Sequence, residues 1–399
     1  MSGLREVVIV EAVRTPVGRF GGSLRDVPPE DLAALVMKEA IRRVGLAPSE
    51  IDGVVMGHCL VNGETPNIAR LASLKAGIPV EVPAYSLDRQ CGSGLQAIVN
   101  AMMEIQTENA DIILAGGVES MSQAEFYVTG ARWGTRLGNQ VFYDRWERAV
   151  SRVSTDLFGH IPNMIYTAET VAERYGITRE EQDEFALGSH HKACAAMAQG
   201  KFDAEIIPVP VTGPKGQVSM FARDEHPRPD TTLESLARLK PVIGKTVTAG
   251  NASGMNDAAA VCVLMSARRA ERLGLEPLAY IRKFAVAGVE PTVMGLGPVP
   301  AVRSVIEKAG LRLEQIDLIE LNEAFAAQAL GVLRDLGITD YGNVNVNGSG
   351  IALGHPVGCT GARIMATLLY EMRRRKARWG LETMCIGGGM GLAAILERP

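Results

Sequence analysis

The sequence has little cysteine, and its cysteines and histidines lack the spacing of metal ligands. Six cysteines are scattered over 399 residues, and neither a Cys-x-x-Cys nor a His-x-x-x-His pair occurs. Small disulfide-bonded proteins carry cysteine at a much higher density, and structural zinc sites use such short spacings. The composition therefore argues against a disulfide framework and a metal site, and it favours a reducing, cytoplasmic location.

The sequence also lacks a long apolar run and a strong charge of either sign. A membrane-spanning helix needs about 20 apolar residues, which no segment provides, and the net charge is −4. The segment LREVVIVEAVRTP near the start has the pattern of a strand rather than of a signal peptide. The final ILERP carries no Ser-Lys-Leu address. We expect a protein that binds neither a membrane nor nucleic acid.

Short apolar segments alternate with helical patterns, and this alternation recurs in the last third of the chain. The segment IRRVGLAPSEIDGVVMG, from Ile41, has a counterpart in IEKAGLRLEQIDLIELN, from Ile306. The segment CGSGLQAIVNAMMEI, from Cys91, has one in GCTGARIMATLLYEM, from Gly358. Alternating strands and helices predict an α/β layered fold. Helix, strand and turn in the same order in both copies predict two duplicated halves.

The segment between the halves has a different composition. Residues 120–250 are punctuated by glycine, tryptophan and arginine and contain a stretch rich in proline and charge. Connections of this length in a compact chain are usually lids or binding loops. We therefore expect an N-terminal half in residues 1–119, completed by about 251–275, a loop domain in 120–250, and a C-terminal half in 276–399.

Four residues with reactive or polar side chains stand where apolar strands meet helices or glycine-rich turns. They are Cys91, Asn322, His355 and Cys385. In α/β sheets the carboxyl ends of strands share one edge, where ligands bind. Because the duplication places Cys91 and His355 in corresponding loops, we expect the two loops to meet. The glycines beside Cys91, Gly92 and Gly94, suggest clearance for a thioester.

This set of residue types suits acyl transfer through a thioester. A thiol at a helix N-terminus near an imidazole is expected to have a lowered pKa, so that Cys91 is a candidate nucleophile and His355 its base. The backbone N–H groups around Cys91 and of the glycine run from Gly387 are candidates for an oxyanion hole. Asn322 is a candidate for a second oxyanion site, and the Cys385 thiol suits proton transfer.

Each residue taken alone also has a structural interpretation. His355 could be a loop histidine bonded to backbone, and Asn322 could be a helix cap. The remaining cysteines are expected to be small core residues, namely Cys59, Cys194, Cys262 and Cys359.

Seven segments in order carry a resemblance to a known family. They are QCGSGLQAI, AGGVESMS, TVTAGNASGMNDAAA, MGLGPVPA, LNEAFAAQ, NGSGIALGHPVGCTGAR and CIGGGMGLA. Across nearly its whole length the chain resembles the thiolases, the acyl-CoA acyltransferases. The resemblance implies a thiolase-like fold with two α/β halves in five layers (αβαβα) and a loop domain that covers coenzyme A. It also implies a homotetramer, CoA and acyl-CoA as substrates, and no bound cofactor or metal.

The resemblance assigns roles to the residues of the matching segments. It implies that Cys91 carries the acyl group, that His355 activates it, and that Cys385 exchanges a proton with the α-carbon of acetyl-CoA. It implies oxyanion holes formed by a water on Asn322 with His355, and by the N–H groups of Cys91 and Gly387. The implied CoA and substrate contacts are Ser253 at the pantetheine, Arg228 and Ser235 near the nucleotide, and Met164, Phe325 and Met294.

One segment of the loop domain departs from the family pattern. Many thiolases have a His-Met-Gly run before TAE, whereas this chain has Asn163, Met164, Ile165 and Tyr166. The departure leaves the acyl chain length open. Two alternatives to a thiolase are less well matched. A decarboxylating ketoacyl synthase has histidine or asparagine in place of Cys385, and a non-catalytic acyl-CoA-binding protein would tolerate the loss of Cys91 or His355, which are both present.

Overall fold

A computed structural model describes residues 4–154, 156–213 and 215–399. Its strands are β1 (Val7–Arg14), β2 (Gly18–Arg19), β3 (Gly53–Gly57), β4 (Ala84–Leu87), β5 (Ile112–Ser120), β6 (Phe126–Tyr127), β7 (Tyr143–Asp144), β8 (Val209–Thr212), β9 (Val218–Phe221), β10 (Asn256–Ser266), β11 (Ala279–Gly288), β12 (Leu318–Leu321), β13 (Trp379–Ile386) and β14 (Met390–Glu397). Its α-helices are α1 (Pro29–Val44), α2 (Ile68–Lys75), α3 (Ser93–Gln106), α4 (Arg145–Ser151), α5 (Met164–Tyr175), α6 (Arg179–Ala198), α7 (Leu233–Ala237), α8 (Ala267–Leu273), α9 (Pro298–Ala309), α10 (Ala326–Asp335), α11 (Gly350–Leu353) and α12 (Thr360–Arg375). No helix in this part of the chain is long and apolar enough to cross a membrane.

The main strands form two sheets that are joined at one corner. The strand order is β4-β3-β5-β10-β1 in the first half and β11-β14-β13-β12 in the second. Among the described residues the two sets join into one continuous sheet through the pairing of β1 with β11, where Val8 faces Tyr280 and Ile9 faces Ala279. Strand β3 runs parallel to β4 and β5, and β12 runs parallel to β13, whereas the other neighbours along this path are antiparallel.

The two sheets repeat one topology, which confirms the predicted duplication. Strands β1, β3, β5 and β10 occupy the same relative places as β11, β12, β13 and β14. The outer strand β4 has no full counterpart in the second half. A single parallel bridge, between Ile319 and Val344, stands in its place. The repeated sequence therefore encodes a repeated unit of parallel and antiparallel strands with the same connections.

The helices lie in three layers, one between the sheets and one outside each sheet. One apolar cluster contains α3, α12 and the facing side chains of both sheets. A second cluster packs α1 and α2 on the other face of the first sheet, and a third packs α9 and α10 on the other face of the second. Side chains alternate accordingly along β1, where Val7 and Ile9 face inward and Val8 faces outward. The predicted five-layer αβαβα fold is confirmed.

The glycines beside Cys91 allow the close approach of the second half of the protein, and the interpretation that they also clear room for a thioester stays a prediction. A Cβ added at Gly94 would lie 2.9 Å from the backbone nitrogen of Ala362, at the start of α12. A Cβ at Gly92 would lie 2.6 Å from the side chain of Ile386 in β13. The sequence signalled a close approach correctly, but the approaching groups belong to the second half of the protein itself.

A buried arginine attaches the region between the halves to the first sheet. Arg14, at the end of β1, bonds to Glu205 through Nε at 2.7 Å and to Asp224 through both terminal nitrogens at 2.7 and 2.9 Å. All three side chains are fully buried around these bonds. Asp224 also accepts a hydrogen bond from the backbone N–H of Val17. The arrangement places segments that are about 200 residues apart in sequence in one charged cluster.

We expect the change Arg14→Ala to lower the free energy of unfolding by about 3–5 kcal/mol, because it leaves two carboxylates buried without their partner. Unfolding in urea measures the loss. The matched control is Arg25→Ala, which removes an ion pair with Asp26 whose side chains are 59% and 78% exposed. That change is expected to cost less than about 1 kcal/mol. Equal stability of the two variants would contradict the importance of the buried cluster.

Candidate active site

Cys91 lies on a tight turn that ends immediately before helix α3. The residue before it, Gln90, has a φ of 48°, in the left-handed region that non-glycine residues seldom adopt. Four contacts hold this conformation. Asp88 Oδ1 accepts a hydrogen bond from the Gln90 N–H at 2.6 Å, and the Gln90 carbonyl accepts bonds from Ser93 Oγ at 2.6 Å, from the Ser93 N–H and from Cys59 Sγ at 3.0 Å. The surroundings therefore impose the turn that presents Cys91.

His355 is held in one orientation by its backbone and by one side-chain partner. Its N–H donates to Asn256 Oδ1 at 2.9 Å, and its Nδ1 lies 2.7 Å from Thr360 Oγ1. Because the Thr360 hydroxyl donates to the Pro356 carbonyl at 2.9 Å, its oxygen accepts the hydrogen on Nδ1. This assignment leaves Nε2 of the neutral ring as the unprotonated nitrogen, which is the one able to accept a proton.

The three predicted reactive side chains line one cavity of about 450 Å³. Cys91, His355 and Cys385 come from the turn before α3, the loop before α12 and the end of β13. Most of the other lining side chains are apolar. Four residues that the family resemblance assigns to CoA or substrate also line this cavity, namely Ser253, Met164, Phe325 and Met294. The fold thus brings together residues that are far apart in sequence. Cys91 and Cys385, for example, are separated by 385 − 91 = 294 positions.

The other two residues predicted at the centre lie beside the cavity wall. Asn322 is fully buried with its Nδ2 3.5 Å from Nδ1 of His355, and its Oδ1 accepts no hydrogen bond from the described residues. Gly387 contributes its backbone N–H to the sulfur of Cys91. The adjacent Glu323 accepts hydrogen bonds from the Ser189 hydroxyl and from the backbone N–H of Ile351, so that it ties the Asn322 segment to helix α11, which precedes His355.

The pKa values at the site follow from burial. The pKa of Cys91 is raised to about 11 by burial, and hydrogen bonds from the N–H groups of Gly387 and Cys91 itself only partly oppose this effect. Burial lowers the pKa of His355 to about 3. Burial, and the neighbouring Cys91, raise the pKa of Cys385. The expectation of a lowered pKa for Cys91 is therefore wrong, because desolvation exceeds the effect of the helix end. The directions of these pKa shifts favour neutral thiols and a neutral imidazole in the site.

A second, more polar cavity of about 250 Å³ adjoins the first, since Ala249 and Ala252 line both. It contains Arg228 and Ser235, the two residues that the resemblance places near the nucleotide. It also contains His190 and His226, whose pKa values are lowered to about 4, chiefly by burial.

Sequence reasoning missed several residues of the site. His190, for which the sequence suggested no role in the site, is buried, and its Nδ1 accepts the Arg228 backbone N–H at 3.3 Å. Cys59 was interpreted as a core residue, yet it bonds to the turn of Cys91. Trp146, from α4, lines the main cavity. The sequence carried no local signal for these three residues. The hydrogen-bond partner of His355, Thr360, could have been found, because it follows the His355 loop at the start of helix α12.

No group of three or more histidine, cysteine or carboxylate side chains within the described ranges is arranged to hold a metal ion. All six cysteines are free thiols that form no disulfide.

Comparisons with known proteins cover the whole chain. Residues 7–268 match the family model described as thiolase, N-terminal domain, and residues 275–398 match the thiolase C-terminal domain. The chain is 50% identical to an acetyl-CoA acetyltransferase of Syntrophomonas wolfei, with 98% of this chain and 99% of that protein covered. Its fold is similar to the crystal structure of the Bacillus anthracis acetyl-CoA acetyltransferase, with a TM-score of 0.96, 47% identity and 100% of both chains covered. The corresponding values for human mitochondrial 3-ketoacyl-CoA thiolase are 0.93, 41% and 99% of both chains.

We expect the rate constant for alkylation of Cys91 by iodoacetamide to rise about tenfold per pH unit between pH 7 and 10, because only the thiolate reacts and its fraction grows at that rate below the pKa. Peptide mass spectrometry measures the labelling of each cysteine, with half-buried Cys194 as an internal reference. A rate that is already constant below pH 8 would show a low pKa and contradict the effect of burial.

Proposed function

The chain belongs to the thiolase family, and from this premise we propose that it catalyses the reversible, CoA-dependent cleavage of 3-ketoacyl-CoA. The reverse reaction is the Claisen condensation of acetyl-CoA with an acyl-CoA. The observation that carries the proposal is that two thiols, Cys91 and Cys385, line one apolar cavity together with the imidazole of His355. A nucleophile, a base and a separate proton donor are the groups that this chemistry requires.

In the first half of the proposed cycle, Cys91 attacks the 3-keto carbonyl carbon of the substrate. His355 Nε2 takes the thiol proton as the carbon–sulfur bond forms. The bond between C2 and C3 then breaks, and Cys385 gives its proton to C2, which leaves as the methyl carbon of acetyl-CoA. The products of this half are acetyl-CoA, an acyl thioester on Cys91, a protonated His355 and a Cys385 thiolate.

In the second half, the thiol of CoA replaces Cys91 on the acyl group. The CoA thiol gives its proton to the Cys385 thiolate, and its sulfur attacks the thioester carbonyl. Cys91 leaves and recovers its proton from His355, so that the enzyme returns to its starting state. Exchange between two thioesters is nearly balanced in bond energy, so that this second half is readily reversed. The cycle is ping-pong because acetyl-CoA leaves before CoA reacts with the acyl group on Cys91.

The proposed oxyanion sites use donors that already surround the cavity. The N–H groups of Cys91 and Gly387, which reach the Cys91 sulfur, are assigned to the oxygen of the thioester. Asn322 is assigned to hold a water. With His355, this water stabilises the other oxygen, which is the carbonyl oxygen of the acetyl-CoA unit. Fixed donors of this kind stabilise developing negative charge without reorganisation.

The proposed path of CoA runs from the smaller cavity into the larger one. Arg228 and Ser235 are assigned to the nucleotide end, where guanidinium suits phosphate, and Ser253 to the pantetheine. Met164, Phe325 and Met294 line the larger cavity. In the segment that departs from the family pattern, Asn163 caps helix α5 by accepting the Tyr166 N–H at 3.0 Å. Asn163 and Ile165 line the cavity, whereas Tyr166 is 38% exposed.

We propose a homotetramer, assembled as a dimer of dimers, and a cytoplasmic location. Large apolar side chains are exposed in the region between the halves, namely Phe126, Trp133, Leu137, Val141, Phe142 and Leu157. An exposed apolar surface of this kind is typical of protein–protein contacts. The free cysteines suit a reducing compartment. Light scattering in solution tests the assembly, since a mass below that of four chains would contradict it.

We propose the domain division predicted from the sequence. It is supported by β10, which follows the intervening region yet pairs with β1 and β5 of the first sheet.

The function is tested by the CoA-dependent loss of acetoacetyl-CoA absorbance. We expect rapid cleavage by the wild type, a loss of at least about 10⁴-fold in Cys91→Ala, and a loss of about 10²–10⁴-fold in Cys385→Ala. The control is Cys194→Ala, which changes a half-buried thiol of helix α6 outside both cavities.

A second assay separates the two thiols. Exchange of labelled CoA into acetyl-CoA requires an acyl group on Cys91 but no proton transfer at carbon. In this exchange Cys385 passes a proton only to and from the sulfur of CoA, and a thiol is acidic enough to exchange that proton with water instead. We therefore expect Cys385→Ala to keep most of this exchange and Cys91→Ala to lose it. A wild type that is inactive on acetoacetyl-CoA and on a longer 3-ketoacyl-CoA would refute the proposed function.

A further inference from the structure

Two apolar groups of side chains meet at the two reactive thiols. On one side, Met294, Ala324 and Phe325 pack in one cluster with Cys385. On the other side, Cys91 packs in a different cluster with Met121, Trp146, Met255 and Val357. We call these last four residues the Cys91 wall. All four line the main cavity.

The Cys91 wall lies away from the entry that is proposed for CoA. The smaller cavity, with Arg228, joins the main cavity at Ala249 and Ala252. None of the four wall residues lines the smaller cavity. A CoA arm that enters past Ala249 and Ala252 therefore meets none of the Cys91 wall in the smaller cavity, and the wall adds apolar space beside Cys91 in the main cavity. An acyl group bonded to Cys91 has this space beside it.

The chemistry of the Cys91 wall matches an aliphatic chain. Its side chains carry no charge and, apart from the indole N–H of Trp146, no hydrogen-bond donor or acceptor of ordinary strength. Methionine is flexible and fits irregular apolar shapes. A hydrocarbon chain gains from burial against such a surface, whereas a carboxylate or hydroxyl would lose its hydration there without a partner.

Trp146 closes the Cys91 wall on its outer side. Met121 and Val357 are almost completely buried, whereas Trp146 is only partly buried and no residue of its helix α4 is fully buried. Asp144 caps the start of this helix, because its side chain accepts a hydrogen bond from the backbone N–H of Trp146 at 2.7 Å. The indole therefore stands between the buried part of the cavity and the surface, on a helix whose start is held in place.

We propose that Trp146 determines acyl chain length by limiting how far a straight aliphatic chain on Cys91 can extend along the Cys91 wall. The inference rests on the proposed function, since it concerns the acyl group of the same thioester. It predicts that a smaller side chain at this position opens the cavity toward the surface and admits longer 3-ketoacyl groups.

The experiment compares kcat/KM for thiolysis of acetoacetyl-CoA and of 3-oxooctanoyl-CoA. We expect Trp146→Ala to raise the ratio of the longer to the shorter substrate by about tenfold or more, because several added methylene groups gain space in an apolar pocket. Trp146→Phe is expected to give an intermediate ratio. The matched control is Trp133→Ala, a tryptophan of the same region that is 87% exposed and does not line the cavity.

The outcomes separate the inference from the function on which it rests. A wild type that cleaves neither substrate refutes both. An active wild type whose ratio is unchanged in Trp146→Ala refutes the role of Trp146 alone. An equal change in Trp133→Ala also refutes it, because the effect then passes through the surrounding region or its assembly. If Trp146→Ala does not fold, the ratio in Trp146→Phe decides, and a ratio equal to that of the wild type overturns the proposal.

Discussion

The close packing of helices α3 and α12 between the two sheets is the constraint on which the rest of the structure depends. No side chain fits where they meet, since a Cβ at Gly361 would lie 2.4 Å from the backbone nitrogen of Leu95. The loop before α12 is equally close to β5, where a Cβ at Gly117 would lie 2.1 Å from the Gly358 carbonyl oxygen. The starts of both helices are thereby held together. Cys91 and His355, which precede them, line one cavity for that reason.

Burial then decides the charge state of the site. The same packing that brings the thiols and the imidazole together removes water from them, and desolvation favours the neutral form of each group. The pKa of Cys91 rises and that of His355 falls, and both shifts disfavour a preformed thiolate–imidazolium pair. In the proposed mechanism, the proton moves from sulfur to nitrogen only as the bond to substrate carbon forms. Fixed N–H groups stabilise the resulting charge where it develops.

The region between the halves is attached to this rigid core by a few buried contacts and otherwise covers the cavity. Arg14 anchors it through Glu205 and Asp224. Trp146 and Ile165, which line the cavity, belong to the same region. Reactive groups held by the core and a loop region that shapes the cavity are the usual division between chemistry and specificity in enzymes built on α/β sheets.

The duplicated α/β architecture and the small set of reactive residues were predictable from the amino-acid sequence. Both depend on local signals: apolar periodicity repeats in the same order in the two halves, and Cys91, Asn322, His355 and Cys385 each stand where a strand or a glycine-rich turn ends. Only the tertiary structure decided which groups are neutral, what the glycines at positions 92 and 94 accommodate, and that Cys59, His190 and Trp146 belong to the site. Desolvation, close approach and cavity shape are properties of what packs around a residue, and here the packing groups come from segments far away in the sequence.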